Sequence, residues 1–333
     1  MGAVLLAGVE SVALDLKSPA GLQALERLLA GADVLIESFR PGTLARFGLP
    51  PEELRQRFPR LVIGSISGWG TDGPYAARAG HDLTYQAIAG TLAATAGGGA
   101  MPGVQTADQV GAWSLVSSLL AALLERERTG EGRHVEVSLL DAALHANLTA
   151  WAAEAGRPKG VGERLPLTGA FPCYNLYETA DGRRLALGAL EPHFWERFCQ
   201  AAKRPDLLRH ADSSSPRVRR EMEALFRTRT AAQWMALLGG EDVPAEPVLS
   251  AAEAKNHPQV LASGVLATGP EGLPRLAFPA RFDGERLKAG GAVPKLGEQT
   301  RAVLAEVGAK DLAGAEGVGR RFSLKRWLKT FLR

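Results

Sequence analysis

The sequence predicts an α/β fold built on a parallel sheet, and two observations carry that expectation. Short apolar strands alternate with helical segments: residues 12–16, 33–37 and 61–66 read as strands, while residues 20–30 and 51–58 repeat apolar side chains at helical spacing. Polar, glycine-containing segments then follow two of those strands, Ser38-Phe39-Arg40-Pro41-Gly42 and Ser67-Gly68-Trp69-Gly70. Parallel sheets bind ligands at the carboxyl ends of their strands, which is where these segments stand.

Each later element has its own reason. Residues 109–128 carry Val110, Trp113, Val116, Leu119, Leu120, Leu123 and Leu124 at helical spacing. Arg126 and Arg128 suit the negative end of that helix, Gly130 stops it, and Asp108 is placed as its N-cap. Residues 134–140 alternate as a strand, and another helix runs to about residue 155. Residues 156–169, rich in glycine and proline, read as a linker. A second region starts at Phe171, with strands at 174–177 and 184–189 around an Asp181-Gly182 turn. Helices are expected near 192–203 and 219–238, a return segment that begins at Pro244 to Pro247, and a last helix at 297–308. The expected division is a large domain over 1–165 and a smaller α+β domain over 166–280. Residues 281–333 then form a return segment and a basic tail.

Composition narrows the function classes. With 333 residues, 46% of them hydrophobic, the chain can bury the cores of about two domains. Cys173 and Cys199 are too few for a disulfide framework, so a reducing, cytoplasmic setting is expected. No continuous apolar run suggests a membrane span, and no basic stripe interleaved with aromatics suggests nucleic acid. The net charge of +3 conceals a tail: residues 320–333 hold six basic residues and no acid, and subtracting that +6 leaves −3 elsewhere. Leu324, Trp327, Leu328, Phe331 and Leu332 share one helical face of that tail, a pattern able to touch an anionic membrane surface.

Three side chains stand out as acid/base candidates. His81 follows Gly80, Asp108 opens the long apolar helix, and Glu191 precedes Pro192. Two opposed proton carriers with a carboxylate behind the imidazole suit proton transfer at a carbon next to a carbonyl. Each also has a structural reading: His81 as a helix cap, Asp108 as an N-cap, Glu191 as a first-turn carboxylate. Gly97-Gly98-Gly99 lacks the lysine and spacing of a phosphate loop, and Ser65-Ile66-Ser67-Gly68 does not match a nucleophile elbow. The histidines have no metal-ligand spacing, so no metal is expected.

Taken together, residues 33–42 (DVLIESFRPG), 67–74 (SGWGTDGP), 80–85 (GHDLTY), Asp108, 125–135 (ERERTGEGRHV) and 138–142 (SLLDA) resemble the class III CoA-transferase superfamily of CaiB/BaiF type. His81 in GHDLTY and Glu191 in GALEPHF resemble its alpha-methylacyl-CoA racemase branch. The resemblance runs from about Val12 to Gly308. It implies a Rossmann-like large domain, a smaller α+β domain and an interlocked homodimer. It also implies an acyl-CoA substrate with no separate cofactor, since CoA is part of the substrate. In that pattern His81 and Asp108 are the two acid/bases and Glu191 orients His81. The positions matching CoA contacts are Leu14, Asp15, Leu16, Lys17, Ser38, Phe39, Arg40, Arg46, Gly80, His81, Asp82, Leu83, Thr84 and Tyr85.

The implied reaction inverts the alpha-carbon of a 2-methylacyl-CoA through an enolate, with the Asp82 backbone N–H as a donor to the enolate oxygen. Two other readings stay open: a class III CoA-transferase with Asp108 as nucleophile, and a degenerate CoA-binding or structural protein. The family pattern carries further residues ahead of Val12, including a strand and a basic residue. Without them, an exposed sheet edge is expected beside residues 12–16.

Overall fold

The structure is a computed structural model and describes residues 6–95, 101–156, 166–269, 272, 274–287 and 290–309. In chain order its principal elements are α1 (Pro19–Ala30), β1 (Val34–Glu37), α2 (Pro51–Arg57), β2 (Val62–Ser67), α3 (Asp82–Ile88), α4 (Thr106–Thr129), β3 (His134–Ser138), α5 (Leu139–Ala146) and α6 (Leu148–Gly156). There follow β4 (Tyr174–Glu178), β5 (Arg184–Gly188), α7 (Pro192–Ala201), α8 (Pro216–Phe226), α9 (Ala231–Leu238), β6 (Ala245–Pro247) and α10 (Thr300–Glu306). Contacts group these into two compact units that interleave along the chain. One holds residues 1–77, 113–137 and 252–333; the other holds 78–112 and 138–251. The expected boundaries at 165 and 280 therefore do not coincide with the grouping, because α3 and α5 pack together within the second unit.

The first unit is organised by a sheet of order β1-β2-β3, with β1 and β2 parallel and Val34 in register with Val62. Alternation along β2 sends successive side chains to opposite faces. Leu61 and Ile63 pack with Leu29, Leu44, Leu49 and Leu54, whereas Val62 packs with Leu115, Leu119 and Ala122 of α4. Both faces of β2 are thus covered, as a parallel strand requires. Gly64 lets α4 approach: a Cβ there would lie 3.0 Å from a Leu119 methyl group. At the far end of α4, buried Arg126 donates to the Asp33 and Arg60 carbonyls at 3.4 and 3.3 Å. It also pairs with the Asp33 carboxylate at 2.9 Å. By length and composition α4 could cross a membrane, contrary to the sequence reading, because its alanines and leucines outweigh its few charges. Its Leu115–Leu119–Ala122 face is instead part of this core.

The strand expected at 12–16 does not form; only a single bridge appears at Leu14. The front segment's polar groups are met by the far end of the chain instead. Ser11 N donates to Gln299 Oε1 at 2.8 Å, Ala13 N donates to Thr300 Oγ1 at 2.9 Å, and Ser11 Oγ accepts from Gly297 N at 2.9 Å. Leu14 then packs with Ala24 and Leu304. With no strand formed there, the sheet edge expected beside residues 12–16 is not present among the described elements.

The second unit contains an antiparallel sheet of order β4-β5-β6, with Tyr174 opposite Gly188 and Ala186 opposite Glu246. Residues 245–247 thus form a third strand of this sheet, and the return to the first unit expected to begin there comes at about Ala252. Trp195, Phe198, Phe226 and Trp234 fill its core, and each indole N–H is satisfied, by the Leu207 and Phe226 carbonyls at 3.0 and 2.8 Å. The single helix expected over 219–238 is two. Thr230 begins α9 with a capping box, its Oγ1 accepting from Gln233 N and its N–H donating to Gln233 Oε1. Residues 97–99, most of the expected linker and the basic tail lie outside the described residues.

Candidate active site

The site is built where α3 and α4 begin, within the second unit. His81 is the N-cap residue of α3, in extended backbone conformation. Thr84 Oγ1 accepts from His81 N at 3.0 Å and donates to His81 O at 2.7 Å, so the backbone of the histidine is pinned while its ring remains exposed.

Helical spacing then divides the motif. Asp82, Tyr85, Gln86 and Ala89 fall on one face and are buried, while His81, Leu83, Thr84 and Ile88 are open to solvent. Of the CoA-contact positions in this motif, Gly80, His81, Leu83 and Thr84 offer accessible surface. The side chains of Asp82 and Tyr85 are turned inward.

Asp108 is not the N-cap expected from sequence. The helix begins at Thr106, which places Asp108 third in its first turn. Its backbone N–H, one of the four that a helix start leaves without an internal partner, donates to Asp82 Oδ1 at 3.1 Å. Asp82 Oδ2 accepts from Gln86 Nε2 at 2.6 Å. A buried carboxylate adjacent in sequence to His81 therefore holds the backbone of Asp108.

The electrostatics follow from this arrangement. The Asp108 carboxyl is raised above the usual carboxylate range, first by partial desolvation although the residue as a whole remains exposed. The negative charge of Asp82 adds to that rise, and the nearby His81 opposes it. Tyr85 is raised as well, mainly by burial and then by the charge of Asp108. His81, Asp82, Tyr85 and Asp108 thus form one electrostatically connected group.

Glu191 is not part of that group. It is the N-cap residue of α7, exposed, with no side-chain cap and no hydrogen bond to His81. The remaining CoA-contact positions belong to the first unit. Asp15 accepts from Lys17 N at 3.0 Å through Oδ1, and its carbonyl accepts from Ser18 N and Ser18 Oγ in the turn before α1. Leu14 and Leu16 flank it half-buried. Ser38, Phe39 and Arg40 follow β1, with Phe39 N donating to Glu37 Oε2 at 2.7 Å and the Phe39 ring edge-on to Phe47. Arg46 Nη2 donates to Thr43 Oγ1, its guanidinium exposed. Among the described residues, no group of three or more His, Cys, Asp or Glu side chains could hold a metal ion.

Sequence reasoning missed the side-chain roles of Asp82 and Gln86. Their i, i+4 spacing was the available signal, since that spacing lets an amide meet a carboxylate.

The model of CoA-transferase family III matches residues 4–300. The chain is 31% identical to mouse alpha-methylacyl-CoA racemase, over 90% of this chain and 81% of that one. It is 30% identical to an acetyl-CoA:oxalate CoA-transferase of Acetobacter aceti, over 91% of this chain and 81% of that one. The crystal structure of a CAIB/BAIF family protein from Brucella suis superimposes with a TM-score of 0.79 at 28% identity, covering 92% of this chain and 83% of that one. Isomerase and transferase relatives thus stand at similar distance. The parallel sheet, the ordered motifs and the match over most of the chain place it in CoA-transferase family III.

Proposed function

We propose that this protein is a racemase or epimerase of 2-methylacyl-CoA thioesters, acting as a homodimer in the cytoplasm by two-base 1,1-proton transfer through an enolate. The observation that carries this reading is the pairing of an exposed His81 with an Asp108 of raised proton affinity, in electrostatic contact where α3 and α4 begin. Inversion needs a base on one face of the alpha-carbon and a protonated donor on the other. An imidazole, able to take up and release a proton at either nitrogen, suits the first role, and a carboxyl held above its usual range suits the second. In the opposite direction the two exchange roles.

The enolate oxygen is assigned to the Asp82 backbone N–H, the first of α3, which has no hydrogen-bond partner among the described residues. One such donor contributes roughly 3 kcal/mol, about a hundredfold in rate. Leu14, Asp15, Leu16, Lys17, Ser38, Phe39, Arg40 and Arg46 are assigned to CoA. With Glu191 exposed in the single chain, its assignment as the orienting partner of His81 requires a contact made on acyl-CoA binding or across the dimer. An exposed apolar stripe on α4, Trp113, Val116, Leu120 and Leu124, supports such an assembly.

Proton NMR of a 2-methylacyl-CoA in deuterated water tests the reading. Alpha-hydrogen exchange and decay of optical activity are expected, with inversion abolished in both His81→Ala and Asp108→Ala. The transferase reading keeps support from relatives of similar identity. It predicts an Asp108 adduct trapped by hydroxylamine and a largely active His81→Ala. CoA exchange between acids without alpha-exchange would refute the racemase reading.

A further inference from the structure

We propose that Asp82 is a positioning residue of the proton-transfer site, its buried carboxylate locking the start of α4, and with it Asp108, to the turn that carries His81. The inference rests on the two-base reading of His81 and Asp108 given above. Three observations support it. Asp82 is 8% exposed, so its carboxylate is turned inward and does not act on substrate. One oxygen accepts from Asp108 N at 3.1 Å and the other from Gln86 Nε2 at 2.6 Å, so both are occupied by protein donors. Gln86 itself is fully buried, and among the described residues its Oε1 has no hydrogen-bond partner. That amide is thus held with its NH2 toward a carboxylate although its carbonyl oxygen goes unmet. A neutral partner at position 82 would not enforce this orientation.

Buried beside Asp108, the carboxylate also acts through space. Its charge is one of the causes that raise the Asp108 carboxyl, which favours the protonated donor that inversion needs. The other titratable groups facing Asp108 are His81, which opposes the effect, and Tyr85. On α5, packed against α3, only Asp141 and His145 titrate, and both are exposed. On α4 the next charged residue after Asp108 is Glu125. Asp82 is therefore the one nearby group on these elements whose charge raises the proton affinity of Asp108.

Two substitutions separate the charge from the hydrogen bond. Asp82→Asn keeps an acceptor for Asp108 N and removes the charge. The Gln86 amide can then turn, so that Oε1 accepts from the introduced NH2. Asp82→Ala removes both. The full chain, labelled with 13C at the aspartate carboxyl carbons, is titrated by NMR, with Asp108→Asn identifying the Asp108 resonance. Alpha-deuterium exchange of a 2-methylacyl-CoA is followed against pH in parallel. In Asp82→Asn the Asp108 midpoint is expected to move to lower pH, and the acid limb of the exchange profile to move with it. Asp82→Ala is expected to lose about a hundredfold in kcat through misplacement of Asp108. An Asp108 midpoint unchanged or raised in Asp82→Asn overturns the proposal, as does wild-type turnover in Asp82→Ala. If the wild-type protein shows no alpha-exchange at all, the racemase reading falls, while the Asp108 midpoint still decides the role of Asp82.

Discussion

Asn147 offers a direct measure of how firmly the histidine-bearing helix is held. Its Nδ2 donates to the Ala89 carbonyl at 3.1 Å, a buried bond joining the end of α5 to the end of α3. Asn147→Ala removes a hydrogen bond with a net value of about 1 kcal/mol and leaves a buried carbonyl whose desolvation costs about 1–3 kcal/mol. Ala89 is fully buried, so water reaches that oxygen only by local opening. We expect a loss of roughly 2 kcal/mol, about thirtyfold in the folded-to-unfolded ratio. Urea denaturation followed by circular dichroism reads the loss, and amide hydrogen exchange shows whether it is felt first in α3. Asn147→Asp is the isosteric control: it lacks the donor at neutral pH, and it recovers part of the loss in acid, where a protonated carboxyl can donate. Because Asn147 does not touch His81 or Asp108, turnover of the folded fraction should hold. An Ala variant within about 0.5 kcal/mol of the parent would refute the reasoning, since that is the scatter of featureless surface positions.

The remaining predictions follow from titration. The Asp108 carboxyl is raised in the folded protein, so the folded state holds that proton more tightly, and stability falls as pH rises from about 3.9 through the folded value. Asp108→Asn should therefore resist urea better than wild type at pH 7 and match it below that window. Equal stability at pH 7 would contradict the raised carboxyl. Burial pushes the Cys199 thiol up to about 12, and raises Cys173 as well. At pH 8 only about one Cys199 in ten thousand is thiolate, so iodoacetamide should label neither cysteine in the native protein and both in urea. Native labelling at a free-thiol rate would show that the small-sheet core opens readily.

Much of this was legible in the sequence, and the exceptions share a cause. The strands at 33–37, 61–66 and 134–140 were readable because apolar alternation next to a turn has few other solutions, and all three appear within a residue or two at each end. Residues 12–16 show the same alternation, but Ala13 and Leu14 take partners at Thr300 and Leu304, and no local pattern announces a contact so distant. The break at Thr230 was hidden because both halves of 219–238 carry helical spacing. Only the Thr230–Gln233 capping box marks the interruption. In the site, His81 and Asp108 could be named from their motifs. The inward turn of Asp82 depends on the register of α3, and the third-place position of Asp108 on a helix that starts three residues earlier than capping preference suggested. Glu191 could be named from its motif as well, but it stands exposed at the start of α7 without a hydrogen bond to His81.

The stitching of residues 11–14 to residues 297–304 has a consequence for how the chain is made. Ser11 finds its partner at Gln299, 288 positions later. At typical translation speeds, roughly 15 to 60 seconds pass between the emergence of the two. Through that interval Leu14 and Ala24 lack Leu304, the side chain against which they pack. The run of residues 138–251 belongs wholly to the second unit and can begin to collect its aromatic core while the first segment waits. Synthesis order thus runs against spatial order, and the emergence of α10 from the ribosome is the event that lets the opening residues settle.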